Sequence, residues 1–133
     1  IMKFLKLFIL LIFLNPFYGN AQEKDILPTP QFKAEPNGGM QKFYAAFVRN
    51  FNSSTVKLGQ EYAKSKLFFF VETDGTFSDI TAEGEMIEVN EEVIRVMKLM
   101  PIWKPATTNG DPVRSKFIMP ISIRVTKDNL SKK

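Results

Sequence analysis

The chain has 133 residues, 44% of them hydrophobic, with 18 basic against 14 acidic residues and a formal charge of +4. That length suits one domain and leaves little room for a second. Cysteine and histidine are both absent, which excludes disulfide staples, thiol nucleophiles, the usual zinc ligand sets and Ser–His pairs. No metal site, cofactor or catalytic set is expected, and the chain reads as a non-enzyme.

The first 21 residues read as a secretory signal peptide. Lys3 and Lys6 form a basic start, Leu7 to Leu14 is wholly apolar, and Gly19-Asn20-Ala21 supplies small residues for cleavage after Ala21. An uncleaved inner-membrane anchor is the alternative, but a spanning helix needs about 20 apolar residues, and Asn15 and Pro16 end this run early. Without Lys3 and Lys6, 16 basic residues face 14 acidic ones, a net +2. Nucleic acid is therefore not an expected partner, since it calls for a basic stripe, and Lys57, Lys64 and Lys66 read as a solvated face. Residues 22–37 carry Pro28, Pro30 and Pro36 and read as an extended linker. The domain is expected over 38–126, followed by a polar tail at 127–133.

Met40, Phe43, Tyr44, Phe47, Val48 and Phe51 recur at helical spacing and predict an amphipathic helix whose aromatic stripe is core. Asn52-Ser53-Ser54 ends it. Lys66 to Glu72 is apolar on both faces, as a central strand would be, and Thr73-Asp74-Gly75-Thr76 is a hairpin signal. Phe77 to Glu85 returns as a more polar strand. Asn90 is expected to cap a second helix, with Glu91 and Glu92 in its first turn. Val93, Val96, Met97 and Met100 form the buried stripe, Glu91 stands four residues before Arg95, and Pro101 stops the helix. Trp103 should pack under the helix end, with its indole N–H on a carbonyl or at the surface. Asp79, Glu83, Glu85 and Glu88 lack the loop spacing of a calcium site and read as solvated. Gly38-Gly39 lacks the downstream Gly and Lys of a phosphate loop.

Asn109-Gly110 and Asp111-Pro112 are turn chemistry. After them Phe117, Met119, Ile121, Ile123 and Val125 share one parity, while Lys116, Ile118, Pro120, Ser122 and Arg124 share the other. The segment therefore reads as a half-buried strand. A proline cannot donate to a ladder, so Pro120 places the strand at an edge or a bulge. If Pro120 lies on the free side, the backbone groups of Lys116, Ile118, Ser122 and Arg124 lie there too. An extended peptide could then add as a further strand. The competing reading gives Pro120 only the role of blocking aggregation. The expected fold is a two-layer α+β domain, a three-stranded mainly antiparallel sheet with two helices on one face, in the order helix-strand-strand-helix-strand.

One combination of motifs resembles a known family. Val71-Glu72-Thr73-Asp74-Gly75-Thr76 and Asn90-Glu91-Glu92-Val93-Ile94-Arg95-Val96-Met97 come first. Met100-Pro101-Ile102-Trp103-Lys104-Pro105-Ala106, Asn109-Gly110-Asp111-Pro112-Val113 and Met119-Pro120-Ile121 follow in that order. Together they resemble the C-terminal domain of TonB over roughly residues 36 to 125. The resemblance implies a periplasmic domain that binds the TonB-box peptide of an outer-membrane TonB-dependent receptor along the edge of its last long strand. On this chain that edge is Ser115 to Val125, and Trp103, Pro105, Asn109 and Gly110 belong to the structural motif. A homodimer or another envelope assembly, built on the same edge, is the alternative use.

Overall fold

Two helices and a set of antiparallel strands make up the computed structural model, which describes residues 27–57 and 59–125. The signal-peptide and tail expectations concern residues outside that range. The fold is α+β. Strand β1 (Glu35–Pro36) leads into helix α1 (Met40–Asn50) and a 3-10 turn at Ser53–Thr55. Strands β2 (Tyr62–Val71) and β3 (Phe77–Glu83), helix α2 (Ile87–Leu99), and strands β4 (Trp103–Lys104), β5 (Ala106–Thr108), β6 (Asp111–Val113) and β7 (Ser115–Arg124) follow.

The main sheet has the order β3-β2-β7, all antiparallel. Its central member is the strand whose two faces are both apolar. Leu67, Phe69 and Val71 are buried on the inner side, while Phe68 and Phe70 are half-buried on the outer one. Helix α2 covers the inner face with Val89, Val93, Val96 and Met97, all fully buried. Two small sheets, β1-β4 and β5-β6, were not anticipated and sit beside the main one. Within the stretch expected as a linker, Phe32 bridges to Thr107, Glu35 pairs with Lys104, and Ala34 is buried. Residues 31–36 thus run along the domain.

The expected aromatic stripe of α1 narrows to Phe43, Phe47 and, just past the helix, Phe51; Met40, Tyr44 and Val48 stay exposed. The core closes around Trp103, which is 1% exposed. Its ring stands 5.2–5.6 Å from those of Phe43, Phe69, Phe77 and Phe117, edge-to-face with each. The helix, all three strands of the main sheet and the segment after α2 therefore meet at one indole. The expectation for the indole N–H is corrected: Nε1 is buried and has no hydrogen-bond partner among the described residues. The ring is held instead by its four edge-to-face aromatic neighbours, an arrangement favoured by the ring quadrupoles.

Three further expectations are overturned. Helix α2 starts at Ile87, one turn before Asn90, and the Asn90 N–H already donates to the Met86 carbonyl. The Asn90 side chain instead fastens the helix start to the sheet: Nδ2 donates to the Gly84 carbonyl (3.0 Å) and Oδ1 accepts from the Ser65 hydroxyl (2.7 Å). Arg95 pairs with Glu92 rather than Glu91, through Nε at 2.9 Å and through Nη2. Glu92, expected in the first turn, lies beyond it and is buried, and its carboxylate also accepts the Asn52 N–H (3.0 Å). Arg95 Nη2 reaches the Asn50 carbonyl (2.9 Å). This carboxylate–guanidinium pair thereby satisfies main-chain groups at the C-terminal end of α1 that the helix leaves unbonded. Finally, Asp111-Pro112 is not a turn but part of β6, whose only partner among the described strands is β5, and an edge strand tolerates a proline. Asn109 and Gly110, at φ 53 and 82, make the two-residue turn between β5 and β6.

Candidate partner-binding edge

β7 is ten residues long and pairs with β2 from Tyr62↔Arg124 to Val71↔Ser115 without a register shift. The Val125 N–H donates to the Glu61 carbonyl at 2.8 Å, one step beyond the same register. Antiparallel partners alternate between bonded and non-bonded pairs. The odd-numbered residues of β7 therefore exchange hydrogen bonds with β2. The backbone groups of Lys116, Ile118, Pro120, Ser122 and Arg124 point to the other lateral side. Among the described residues β7 has no second strand neighbour in its sheet.

All five of those side chains are exposed and share the outer face of the sheet, while Met119, Ile121 and Ile123 are buried beneath it. Pro120 falls where its missing N–H interrupts no internal bond, which is the physical reason a proline survives mid-strand here. Two clefts adjoin β7. One, of about 450 Å³, separates Lys116–Ile118 from the segment Leu27–Pro30. The other, of about 760 Å³, runs from Pro120 and Ser122 across Lys64 and Lys66 to Glu83 and Glu85, with Glu61 at its margin. The remaining predicted residues lie elsewhere: Trp103 is core, Pro105 is half-buried between β4 and β5, and Asn109 and Gly110 form the exposed β5–β6 turn. They shape the scaffold and do not line the edge.

Arg114, which the sequence did not single out, fixes the start of β7. Its guanidinium carbon lies 3.6 Å above the Phe70 ring, Nε donates to Glu72 at 2.8 Å and Nη2 to Asp79 at 3.2 Å. The Ser78 hydroxyl also donates to Glu72. Asp79 reaches this position from a β-bulge opposite Phe69, where its φ is 48. The hydrogen bond from Arg114 is the main cause that holds the Glu72 carboxyl below its ordinary range, with Ser78 adding to it, while burial opposes them. A carboxyl with a depressed folded-state pKa stabilises the fold above its unfolded value and loses that contribution as pH falls through the folded one. Acid titration of the fold should therefore show a Glu72-dependent loss of stability beginning near pH 4.5, the ordinary glutamate value. Glu72→Gln should flatten that limb and leave stability at pH 7 lower than wild type. An unchanged acid limb in the variant would refute the coupling.

Among the described residues, no cluster of acidic side chains could hold a metal ion, and no helix is long and apolar enough to cross a membrane. No family model matches this chain, and neither a curated protein nor a solved structure matches it.

Proposed function

We propose that this chain is an exported, periplasmic, non-enzymatic domain of the TonB C-terminal kind, which binds an extended receptor peptide by strand addition along β7. On this reading the β3-β2-β7 sheet with its covering helices is that family's two-layer domain, and the small sheets β1-β4 and β5-β6 are additions at its margin. The observation that carries the proposal is the β7 edge. Five residues present main-chain groups away from β2, and the one that lacks an N–H is placed where the fold does not need it. Strand addition supplies affinity through the backbone ladder and specificity through alternate side chains. The biological context we assign is uptake through TonB-dependent outer-membrane receptors, with a receptor N-terminal peptide as partner.

Titration of the exported protein with such peptides, followed by amide shifts, tests this directly. Shifts should concentrate on Lys116 to Arg124. Ile118→Pro removes a second outward donor without touching a bond to β2, so it should weaken binding by roughly five- to tenfold, the worth of about 1 kcal/mol for one hydrogen bond. Shifts confined to another surface, or no loss of affinity in Ile118→Pro, would overturn the proposal. Self-association without peptide binding would instead favour an envelope module that pairs β7 with a second copy.

A further inference from the structure

The outer face of the sheet is electrically lopsided. Across the register, Lys116, Ile118, Pro120, Ser122 and Arg124 of β7 stand beside Phe70, Phe68, Lys66, Lys64 and Tyr62 of β2. The acids of this face lie on the far strand or at the hairpin. Glu83 stands beside Lys66 on β3, and Arg114 already engages Glu72 and Asp79. On the outer face of β2 and β7 the cations Lys64, Lys66 and Lys116 therefore stand nearer the free edge than Glu72, Asp79 and Glu83, while Glu61, Glu83 and Glu85 also line the 760 Å³ cleft. Lys64 and Lys66 lie over the Tyr62 and Phe68 rings, at 5.6 and 5.4 Å from their centroids. Among the described residues neither these two nor Lys116 belongs to an ion pair.

We infer that the strand this edge accepts is acidic on alternate residues, with carboxylates beside Lys116, Pro120 and Ser122 and an apolar side chain beside Ile118. The inference rests on the strand-addition reading and deepens it. A guest residue bonded to an even-numbered residue of β7 shares that residue's face, because side chains alternate with a period of two. A guest residue beside Lys116 is then a direct cross-strand neighbour of an ammonium. Pro120 and Ser122 are short, so beyond them Lys66 and Lys64 are the next cations inward. The distance from β2 to the guest is roughly 10 Å, two inter-strand spacings, and a lysine stem and a glutamate together cover it. Ile118 is 51% exposed and sits beside Phe68, so the residue opposite it gains apolar contact and needs no charge. The 760 Å³ cleft reaches Pro120 and Ser122 from over β2, so long guest side chains beside these short residues can extend toward Lys66 and Lys64. Basic and uncharged strands lack this complement, and a second copy of β7 paired antiparallel about Pro120 would set Lys116 beside Arg124, cation against cation.

Three synthetic peptides test the inference: on the face shared with the even-numbered residues of β7 each carries valine beside Ile118 and glutamate, glutamine or lysine at the other positions, with threonine on the opposite face throughout. Binding to the full chain is followed by amide shifts and isothermal titration. The glutamate peptide should bind roughly tenfold tighter than the glutamine peptide and the lysine peptide more weakly than either, as expected from two or three cross-strand charge pairs. The advantage should shrink at about 0.5 M salt, where charges beyond a few ångströms are screened. In the triple variant Lys64→Glu, Lys66→Glu, Lys116→Glu the order should invert. Equal affinity of all three peptides, with shifts on Lys116 to Arg124, would overturn the charge inference and leave strand addition standing. The same holds for a glutamate preference that survives in the triple variant. Absence of edge shifts with every peptide would overturn strand addition and this inference with it.

Discussion

Replacing Trp103 with alanine should lower the unfolding free energy by about 3–5 kcal/mol, the usual range for deleting a fully buried aromatic, and the cost should sit at the upper end. The ring touches α1 through Phe43, the central strand through Phe69, the hairpin return through Phe77 and the edge strand through Phe117. Each such pair adds about 0.5–1.5 kcal/mol beyond the area it buries, and no neighbouring element can close the gap without leaving another. A domain of this size holds only about 5–15 kcal/mol in total, so Trp103→Ala should be partly unfolded at 37 °C. Trp103→Phe separates the ring from its N–H. The indole donor is buried without a partner, and such a donor carries a desolvation penalty of about 1–3 kcal/mol. Phenylalanine keeps an aromatic ring in the cage and removes the orphan donor, so it should cost less than about 1.5 kcal/mol. Urea unfolding at constant m-value measures both. Equal losses in the two variants would show that the N–H, not the ring, holds the site together.

The same residue explains what was legible in the sequence and what was not. Periodic features were readable because each is set within a few residues of itself. The i, i+3, i+4 spacing gave α1 its bounds, the two apolar faces of Leu67 to Val71 made β2 central, and the alternation after Arg114 laid out β7. Asn109-Gly110 announced its turn because two successive positive-φ residues suit few other side chains. Features set by distant partners were hidden. Glu92 looks like a solvated first-turn acid until Arg95, Asn52 and Asn50 enclose it, and its role joins residues 40 positions apart. Arg114 gains meaning only from Glu72, 42 residues away. Asn90 has the chemistry of a cap, but Ser65 and the Gly84 carbonyl recruit its side chain, and the helix starts a turn sooner. The lysines at 64 and 66 are exposed, as a solvated face requires, but the strand's start at Tyr62 was not visible. Once β2 is extended to Tyr62, parity places both beside β7.

The edge strand inherits its position from this core. Phe117 lies against Trp103 at 5.2 Å and stacks on Phe69 at 5.6 Å with an interplanar angle of 14°. Its neighbours in sequence, Lys116 and Ile118, carry the outward main-chain groups. An aromatic contact one residue away from each holds the edge in place, which on the proposed strand addition would lower the entropy cost of association. If β7 accepts a strand as proposed, variants that loosen Trp103 should weaken that capture before the fold is lost.

The largest effect from the smallest change is expected at Gly75. Its φ is +83, and the hairpin tip presses on the backbone of Trp103: the Trp103 N–H donates to the Gly75 carbonyl at 3.0 Å. A Cβ built on Gly75 would lie 1.9 Å from the Trp103 carbonyl oxygen and 3.1 Å from its carbonyl carbon. Both obstacles are main chain, so no side-chain rotation relieves them. Gly75→Ala should cost about 4 kcal/mol or more, the range reached when a special φ is strained and the core is displaced together. Gly110→Ala provides the comparison. Its φ is +82, nearly the same, yet no atom lies within 4 Å of the position its Cβ would take. That substitution should therefore cost only the left-handed backbone penalty, about 1–2 kcal/mol. The difference between the two variants isolates the contact between the hairpin and the Trp103 backbone. Gly75→Ala should also perturb Trp103 fluorescence and shift the amide of Phe117, whereas Gly110→Ala should leave both unchanged. Equal losses of stability would mean that the hairpin tip does not bear on Trp103, and the link from the β2–β3 turn through the indole to the binding edge would fail with it.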